Sequence, residues 1–182
     1  MKKTFIQVLA TITVAGLAVA ASGAASAHPE AFREAYASVD KAPRKATVER
    51  GERLAGLQFN GTRPLEIGPV GPLPPLVSDD KYGCDWSTAQ EIDESGQVPD
   101  GWIAVARREG TCFGFQDKLN AAMAAGADGL IVVSNGRGVD VNGTAVATIP
   151  AILITFKDGD RLIKSIKMHN PQAINVTMAA DS

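Results

Sequence analysis

The sequence has few of the residues and none of the short motifs on which common enzymes depend. Only two of its 182 residues are histidine, two are cysteine, and aromatic residues make up 5%. It contains no Gly-x-Ser-x-Gly turn, no His-Glu-x-x-His helix, no Gly-x-x-x-x-Gly-Lys loop and no glycine fingerprint for dinucleotides. These absences argue against the common serine hydrolases, zinc peptidases and nucleotide-binding enzymes. We therefore expect a protein that is not an enzyme, without catalytic residues, metal site or cofactor.

The chain also lacks an excess of positive charge. It has 18 basic and 20 acidic residues, which gives a net charge of −2, and it contains no long run of lysine and arginine interleaved with aromatics. Proteins that bind nucleic acid neutralise phosphates with clustered basic side chains. The composition therefore predicts no nucleic-acid partner.

The first 27 residues have the pattern of a targeting segment. Lys2-Lys3 is followed by a mainly apolar run from Phe5 to Ala20, and Ala25-Ser26-Ala27 has the small-x-small pattern of a cleavage site. We predict a signal peptide over Met1–Ala27, cleavage before His28, and a secreted, extracellular protein. The alternative is an uncleaved membrane anchor. No later segment has the length to span a bilayer, so we expect no membrane contact after cleavage.

The two cysteines, Cys84 and Cys112, form an even pair in a chain that is predicted to reach an oxidising compartment. A disulfide between them would close a loop of about 28 residues and stabilise the fold by roughly 3–4 kcal/mol on the chain-entropy model. The alternative is a metal-binding or redox-active pair, but neither further ligands nor a Cys-x-x-Cys turn is present. We predict a structural disulfide.

The central stretch, Gly101 to Pro150, indicates a βαβ-like unit. Trp102–Ala106 and Gly129–Val133 are short apolar runs typical of buried strands. Between them lies a helix that we expect to end where Gly126 adopts a positive φ. Its apolar stripe consists of Phe115, Leu119, Ala122 and Met123. We expect Trp86 and Trp102 to lie in the core.

This stretch and the segment after it contain a characteristic order of residues, namely Arg108, Gly110, Cys112, Phe115, Lys118, Ala125-Gly126-Ala127, Ser134-Asn135, Ile149-Pro150 and Gly159–Leu162. In this order the chain resembles the protease-associated (PA) domain family, over roughly Leu76 to Ile166. The resemblance implies an α/β fold with a PA-like β-sheet or β-sandwich core and flanking helices. We assign the PA-like domain to residues 54–182.

The segment before this domain, residues 28–53, is predicted to be a helical or flexible arm. Phe32, Tyr36 and Val39 share a face at helical spacing, and Pro43 would end the helix. The arm would pack on the domain as a short helix or a loose terminus, and the alternative is an interaction arm.

The N-terminal part of the domain is predicted to contain two short strands, Leu54–Asn60 and Leu65–Val70, as an edge hairpin. The Pro-rich segment Gly68–Pro75 would be an extended connector or, alternatively, a ligand for a Pro-binding module.

After Pro150 we predict a buried strand over Ala151–Ile154 and a helix that ends near His169. Thr155 or Asp158 would cap this helix. A final strand would cover Ala173–Met178. We expect strands that are connected by helices to be parallel neighbours. We expect antiparallel strands from the N-terminal part at the edges of the sheet.

The resemblance implies that the protein binds a peptide or protein, such as a secreted protease, its substrate or cargo. We expect the ligand to contact two loops that leave the same ends of neighbouring strands. The predicted contacts are Arg108, Gly110 and Thr111 on one loop, and Asn135, Gly136 and Arg137 on the other. Arg108 would bind a carboxylate of the ligand. The alternative for Arg108 is a salt bridge to Glu109 or Asp117.

A second hypothesis is a secreted copper oxidase. Cleavage before His28 would expose an α-amino group and an imidazole that can chelate copper as a histidine brace, and His169 would have to supply the third nitrogen. Three Asn-x-Ser/Thr sequences, at Asn60, Asn142 and Asn175, are candidate glycosylation sites if the protein passes through a eukaryotic secretory pathway.

Overall fold

The structure, a computed structural model, describes residues 32–41, 52–110, 114–136, 145–169 and 173–180. It contains eight strands and three α-helices in these ranges. The strands are β1 (Phe32–Lys41), β2 (Glu52–Phe59), β3 (Val70–Leu73), β4 (Pro75–Val77), β5 (Ile103–Arg107), β6 (Gly129–Val133), β7 (Ala151–Ile154) and β8 (Ile174–Ala180). The helices are α1 (Ser87–Glu94), α2 (Phe115–Ala124) and α3 (Phe156–Met168).

The eight strands form one mixed sheet in the order β3-β8-β1-β2-β7-β6-β5-β4. Strands β4, β5, β6 and β7 are parallel to one another. The remaining pairs are antiparallel, including the pair of β2 and β7 that joins the two halves. The fold is therefore α/β, as predicted, with an antiparallel half built largely from the N-terminal strands.

Helices cover both faces of the parallel half, which explains the apolar composition of its strands. Every residue of β6 and β7 is buried, as are the first four of β5. On one face the core includes Ala89 of α1 and Leu119 of α2. On the other face it includes Leu162 and Ile166 of α3. Strands between two helical layers bury both of their faces, so their side chains do not alternate between apolar and polar.

Helix α3 begins at a side-chain cap and packs very close to β6. The Thr155 hydroxyl accepts a hydrogen bond from the Asp158 N–H at 3.2 Å, as expected for an N-cap residue. Gly159 allows the close approach, because a Cβ atom at this position would lie 2.2 Å from Cγ1 of Val133. Any side chain at position 159 would therefore push α3 away from the sheet.

Most elements of the second half of the chain were predicted correctly. The strands β5, β6, β7 and β8 and the helices α2 and α3 all lie where the sequence placed them, within two residues at their ends. Gly126 follows α2 with a φ of 90°, as the predicted helix end required. Trp86 and Trp102 are buried and pack together with ring centroids 5.5 Å apart, which confirms their place in the core.

The helix predicted for the N-terminal arm is wrong. Phe32–Lys41 is strand β1, which pairs with β2 on one side and β8 on the other. The spacing of Phe32 and Tyr36 is four residues, and an even spacing also fits the two-residue period of a strand. Pairing with β2 and with β8 favours the strand over the helix. Because β8 lies near the other end of the chain, a local sequence pattern does not reveal this pairing.

The edge hairpin predicted for residues 54–70 is also wrong. Strand β2 pairs with β1 and β7, and Leu65–Ile67 forms a 3₁₀ turn before β3. The buried side chain of Gln58 fixes this turn, because its amide donates to the Arg63 carbonyl at 2.7 Å and accepts from the Leu65 N–H at 3.3 Å. Helix α1 was not predicted.

The extended Pro-rich connector was predicted correctly. It contains β3 and the first residue of β4, and these two strands form the edges of the sheet, where proline is tolerated in strands. In the residues described, no helix has the length and apolar character needed to cross a membrane.

Candidate functional site

The four parallel strands end at one side of the sheet, which we call the carboxyl edge, and the loops that follow them carry the predicted binding residues. Ligands of open α/β sheets commonly bind at this side, where loops from neighbouring strands meet. The loop after β5 begins at Arg108, the loop after β6 begins at Ser134, and α3 begins soon after β7. The loop after β4, residues 78–86, was not predicted to contribute.

The loops after β5 and β6 lie side by side. The Arg108 N–H donates to the carbonyl of Val133, at the end of β6, over 2.9 Å. The side-chain amide of Asn135 donates to the carboxylate of Glu109, which joins the two loops directly. The loops that were expected to border one groove are therefore neighbours in the fold, and the assignment of their residues to ligand binding stays a prediction.

The guanidinium group of Arg108 lies over an aromatic ring. Its central carbon is 5.6 Å from the centroid of the Phe115 ring, at the start of α2. Phe115 in turn packs against buried Phe59, with ring centroids 4.6 Å apart. The attraction between the cation and the ring restricts the position of the guanidinium group and does not neutralise its charge. This arrangement presents a positive charge at the carboxyl edge.

Gly110 lies against a tyrosine of the loop after β4. Its φ is 122°, and a Cβ atom would lie 2.0 Å from Cγ of Tyr82. No other residue fits here unless the tyrosine moves. The role of Gly110 as a ligand contact stays a prediction, whereas its packing against Tyr82 gives it a structural role. Tyr82 therefore belongs to the same edge as the two predicted loops.

The loop after β4, Ser78–Trp86, is organised around one carboxylate, and we call it the Asp80 loop. The Asp80 carboxylate accepts hydrogen bonds from the N–H groups of Tyr82 and Gly83, each at 2.9 Å, and of Cys84 at 3.3 Å. Partial burial raises the pKa of Asp80, but these backbone donors outweigh it and lower the pKa below its usual value. The ionised carboxylate therefore holds the loop in shape.

A buried lysine attaches the Asp80 loop to α2. Lys118 is 1% exposed, and its ammonium group donates a hydrogen bond to the carbonyl of Tyr82. Burial lowers the pKa of Lys118, and the negative charges of Asp80 and Asp117 oppose that effect. The sequence contained a signal for the burial of Lys118, though not for its partner. Lys118 follows Phe115 by three residues and therefore lies on the apolar face of the helix.

A second ionic contact attaches the end of β5 to α3. The guanidinium group of Arg107 donates to the Asp160 carboxylate at 2.8 Å, and Lys164 reaches the other oxygen of Asp160 at 2.7 Å. Arg107 also lies over the ring of Phe156, 5.5 Å from its centroid. These contacts lower the pKa of Asp160, with the hydrogen bond from Lys164 as the largest cause.

One side chain of α2 holds the segment that leads into β7. The Gln116 amide donates to the carbonyl of Val146 at 2.9 Å and accepts from its N–H at 2.8 Å. It thus satisfies both backbone groups of Val146, as a neighbouring strand would. The Val146 side chain is 76% exposed. An apolar side chain is therefore held in solvent next to the start of α2.

Several predicted residues lie outside the part of the chain that the structure describes. They are His28, Thr111, Cys112, Arg137 and Asn142, together with the predicted signal peptide 1–27. The disulfide between Cys84 and Cys112 therefore stays a prediction. Of the other candidate glycosylation sites, Asn60 is exposed after β2 and Asn175 lies within β8.

The histidine proposed as a third copper ligand lies at the end of α3. Nδ1 of His169 is 2.8 Å from the carbonyl oxygen of Ser165. Among the described residues, no three His, Cys, Asp or Glu side chains are grouped in a way that could hold a metal ion. The copper hypothesis depends on His28, which lies outside those residues.

Comparison with known proteins identifies the family. The PA domain matches residues 72–162, which is half of the 182-residue chain. The chain belongs to the PA domain family. The predicted resemblance is therefore confirmed, and the matched residues run from β3 to the middle of α3. No curated protein matches the sequence of this PA-domain chain significantly.

Solved structures share the fold of this PA-domain chain. Two structures of BSAP, a zinc aminopeptidase from Bacillus subtilis, superpose with TM-scores of 0.52 and 0.51 at 19% identity, over 82% of this chain. The chain covers 31% and 32% of those proteins, so it spans about a third of their length. A peptidase M28 precursor from Shewanella amazonensis aligns at 17% identity over 82% of this chain and 35% of its own, with a TM-score of 0.47.

Proposed function

We propose that this PA-domain chain is a non-catalytic, exported module that binds a peptide or protein through the loops of its carboxyl edge. The observation that carries the proposal is the direct contact between the loops after β5 and β6, where the Asn135 amide meets the Glu109 carboxylate. This polar contact joins the described parts of the two loops, and a PA domain is a protease-associated module.

The chemistry of this surface suits a peptide. The guanidinium group of Arg108 over Phe115 would bind a carboxylate, either a side chain or the C-terminus of the ligand. The backbone at Gly136 would bind peptide amides, because a Cβ atom at this position would meet no atom within 4 Å. The exposed side chain of Val146 would contact an apolar residue of the ligand. We infer that the site recognises an acidic group next to an apolar residue.

A secreted protease or its substrate is the kind of partner that we propose. The similar solved structures include a zinc aminopeptidase of which this chain covers 31%. The identity of 19% supports a common fold and leaves the partner to experiment. The proposal that the chain itself has no catalytic activity is supported by the lack of catalytic motifs in the sequence.

The binding proposal is tested with a displayed library of random twelve-residue linear peptides. The protein selects binders, and titration calorimetry then measures the dissociation constant of each enriched peptide. We expect Arg108→Ala to weaken binding about ten- to hundredfold, the loss typical of a charge-assisted hydrogen bond. Arg161→Ala on α3 is the matched control. The proposal would be contradicted if the Arg108 variant bound every enriched peptide as tightly as the wild type, or if the purified protein cleaved the selected peptides.

Export and the disulfide are tested by the intact mass of the protein secreted with its own leader. We expect a chain that starts at His28 and is two hydrogen atoms lighter than the reduced form, because oxidation joins Cys84 and Cys112. A mass that includes residues 1–27 would contradict cleavage. Tight stoichiometric copper binding that is lost on His28→Ala would replace the interaction module with the copper oxidase.

A further inference from the structure

Strand β4 ends the sheet and is paired on one side. Among the described strands, its only neighbour is β5. The Ile103 N–H donates to the Pro74 carbonyl, and the Ser78 N–H donates to the Val105 carbonyl. Alternate residues of a strand direct their backbone groups to opposite sides. The N–H of Val77 and the carbonyls of Pro75 and Val77 therefore point away from β5, towards the position of an additional strand.

The two helical layers extend past this edge. A cavity of about 290 Å³ lies along β4, between α1 on one face of the sheet and α3 on the other. Its apolar lining includes Leu76 and Val77 of β4, Ala89 and Ile92 of α1, and Ile166 of α3. Pockets for complete drug-sized ligands hold about 300–1,000 Å³. This cavity is therefore suited to one or two side chains of a chain that runs along the edge.

The rim of the cavity carries positive charge. Exposed Lys81 and Lys167 line it from the Asp80 loop and from α3. The one carboxylate of the lining belongs to Asp79, and it already accepts a hydrogen bond from the Thr88 N–H at the start of α1, at 2.9 Å. An acidic group of a ligand would therefore find two cations next to the apolar cavity.

The opposite edge of the sheet is protected against such pairing. In β3, Pro72 lacks an N–H, and the register with β8 shifts between Val70 and Leu73. Prolines and irregular pairing are common means by which proteins prevent strand addition. In β4 the pairing with β5 is regular, but Pro75 lacks an N–H on the outward side. An added strand would therefore pair through the Val77 N–H and the carbonyls of Pro75 and Val77.

We propose that the β4 edge binds an extended peptide segment as a ninth strand, with an apolar side chain in the cavity between α1 and α3 and an acidic residue beside Lys81 and Lys167. Main-chain hydrogen bonds would supply affinity, and the cavity would select the side chain. This surface is distinct from the loops after β5 and β6, and the proposal does not depend on them.

The same peptide library tests this surface with a different pair of variants. Val77→Pro removes the one outward N–H of β4 and leaves the hydrogen bonds to β5 intact, whereas Val77→Ala shortens the side chain and keeps the N–H. For peptides with alternating apolar residues and an acidic group, we expect Val77→Pro to weaken binding at least tenfold and Val77→Ala at most about threefold. Lys167→Glu should weaken the same peptides, and Arg108→Ala should not change them.

Three outcomes would overturn the proposal. Enriched peptides that depend on Arg108 alone would assign all binding to the loops and leave the β4 edge without a ligand. Equal losses for Val77→Pro and Val77→Ala would exclude the main-chain hydrogen bond. A concentration-dependent dimer that Val77→Pro abolishes, seen by sedimentation velocity without peptide, would make a second copy of this chain the occupant. Far-ultraviolet circular dichroism and the thermal midpoint of Val77→Pro are the controls. If both equal those of the wild type, the loss of peptide binding is not due to unfolding.

Discussion

The two ends of the four parallel strands are built in different ways. At the amino end, backbone hydrogen bonds predominate, such as those from the Asp128 N–H to the Trp102 carbonyl and from the Leu130 N–H to the Pro150 carbonyl, with one side-chain acceptor, the Asp128 carboxylate, for the Trp102 N–H. At the carboxyl edge, side chains hold the loops. Asp80 and Lys118 fix the loop after β4, and Gln116 fixes the segment before β7.

The difference shows which end is specialised. A turn held by its own backbone accepts many sequences, whereas a loop held by a buried charged side chain requires that residue. Burying an ammonium group is costly without a partner, so Lys118 is a strong constraint on the carboxyl edge. We therefore expect substitutions at the carboxyl edge to affect both stability and ligand binding, and substitutions at the amino end to affect stability alone.

The largest expected effect is that of removing the buried ammonium group. Lys118→Ala should lower the free energy of unfolding by about 2–4 kcal/mol, because it leaves the Tyr82 carbonyl without its donor and opens a cavity under the Asp80 loop. Lys118→Met should cost less, because it keeps the packing of the stem. Urea unfolding measures both. The control is Lys164→Ala, whose side chain is 70% exposed and should change stability by less than about 0.5 kcal/mol. Equal small effects of all three variants would contradict the constraint.

Two glycines allow a matched test of the two ends. Gly110 at the carboxyl edge and Gly101 at the amino end both have positive φ, and a Cβ atom would lie 2.0 Å from Tyr82 and 1.9 Å from Asp128, respectively. We expect Gly110→Ala and Gly101→Ala each to cost about 1–3 kcal/mol in thermal or urea unfolding. Only Gly110→Ala should also weaken the peptides that depend on Arg108. A loss of binding in both variants would remove the distinction between the ends.

A smaller effect is expected for the dependence of stability on pH. The pKa of Asp80 is lower in the folded protein than its usual value, so the unfolded chain takes up more protons in acid and stability falls as the pH drops below about 4. Asp80→Asn should cost about 1–2 kcal/mol at pH 7. The difference from the wild type should shrink towards pH 3, where the wild type has lost part of the same contribution. Urea midpoints at both pH values measure it, and a constant difference would contradict the role of the charge.

The smallest effect is expected for the contact between β5 and α3. Arg107→Ala should cost about 0.5–1 kcal/mol at low salt, because the Arg107 and Asp160 side chains are each 27% exposed and solvent screens their pairing. In 1 M NaCl the loss should fall but not vanish, since the packing of Arg107 over Phe156 remains. Thermal midpoints at the two salt concentrations test this. A loss that is independent of salt would assign the whole contribution to packing.

The sequence predicts the parallel half of the fold well. Strands β5, β6 and β7 are apolar runs, and α3 has both a cap at Thr155 and a clear apolar face. Because a helix covers each face of these strands, nearly all of their residues are apolar, and this composition can be recognised in the local sequence. The antiparallel half is less predictable. Strand β1 is held by β2 and by β8, and β8 lies more than 130 residues further along the chain. No local pattern reports such a partner.

In the candidate site, too, contacts between residues distant in the sequence could not be predicted. The loops after β5 and β6 could be placed together from the sequence, because consecutive parallel strands end at one edge. The Asp80 loop could not be placed at this edge from the sequence, because its position depends on a contact with buried Lys118 on α2. A charged residue on an apolar face indicates burial without indicating its partner. The hydrogen bonds of Gln116 to Val146 likewise join residues 30 positions apart.

The close packing of α3 on the sheet at Gly159 also affects which side chains the proposed site at the β4 edge would accept. Because α3 lies against Val133 without a Cβ between them, the helix is as close to the sheet as its backbone permits. The same helix carries Ile166 and Lys167 to the β4 edge. A larger residue at position 159 would tilt the helix outward and widen the opening there. Selectivity could thus shift towards bulkier side chains through a change that touches neither the ligand nor the residues around it.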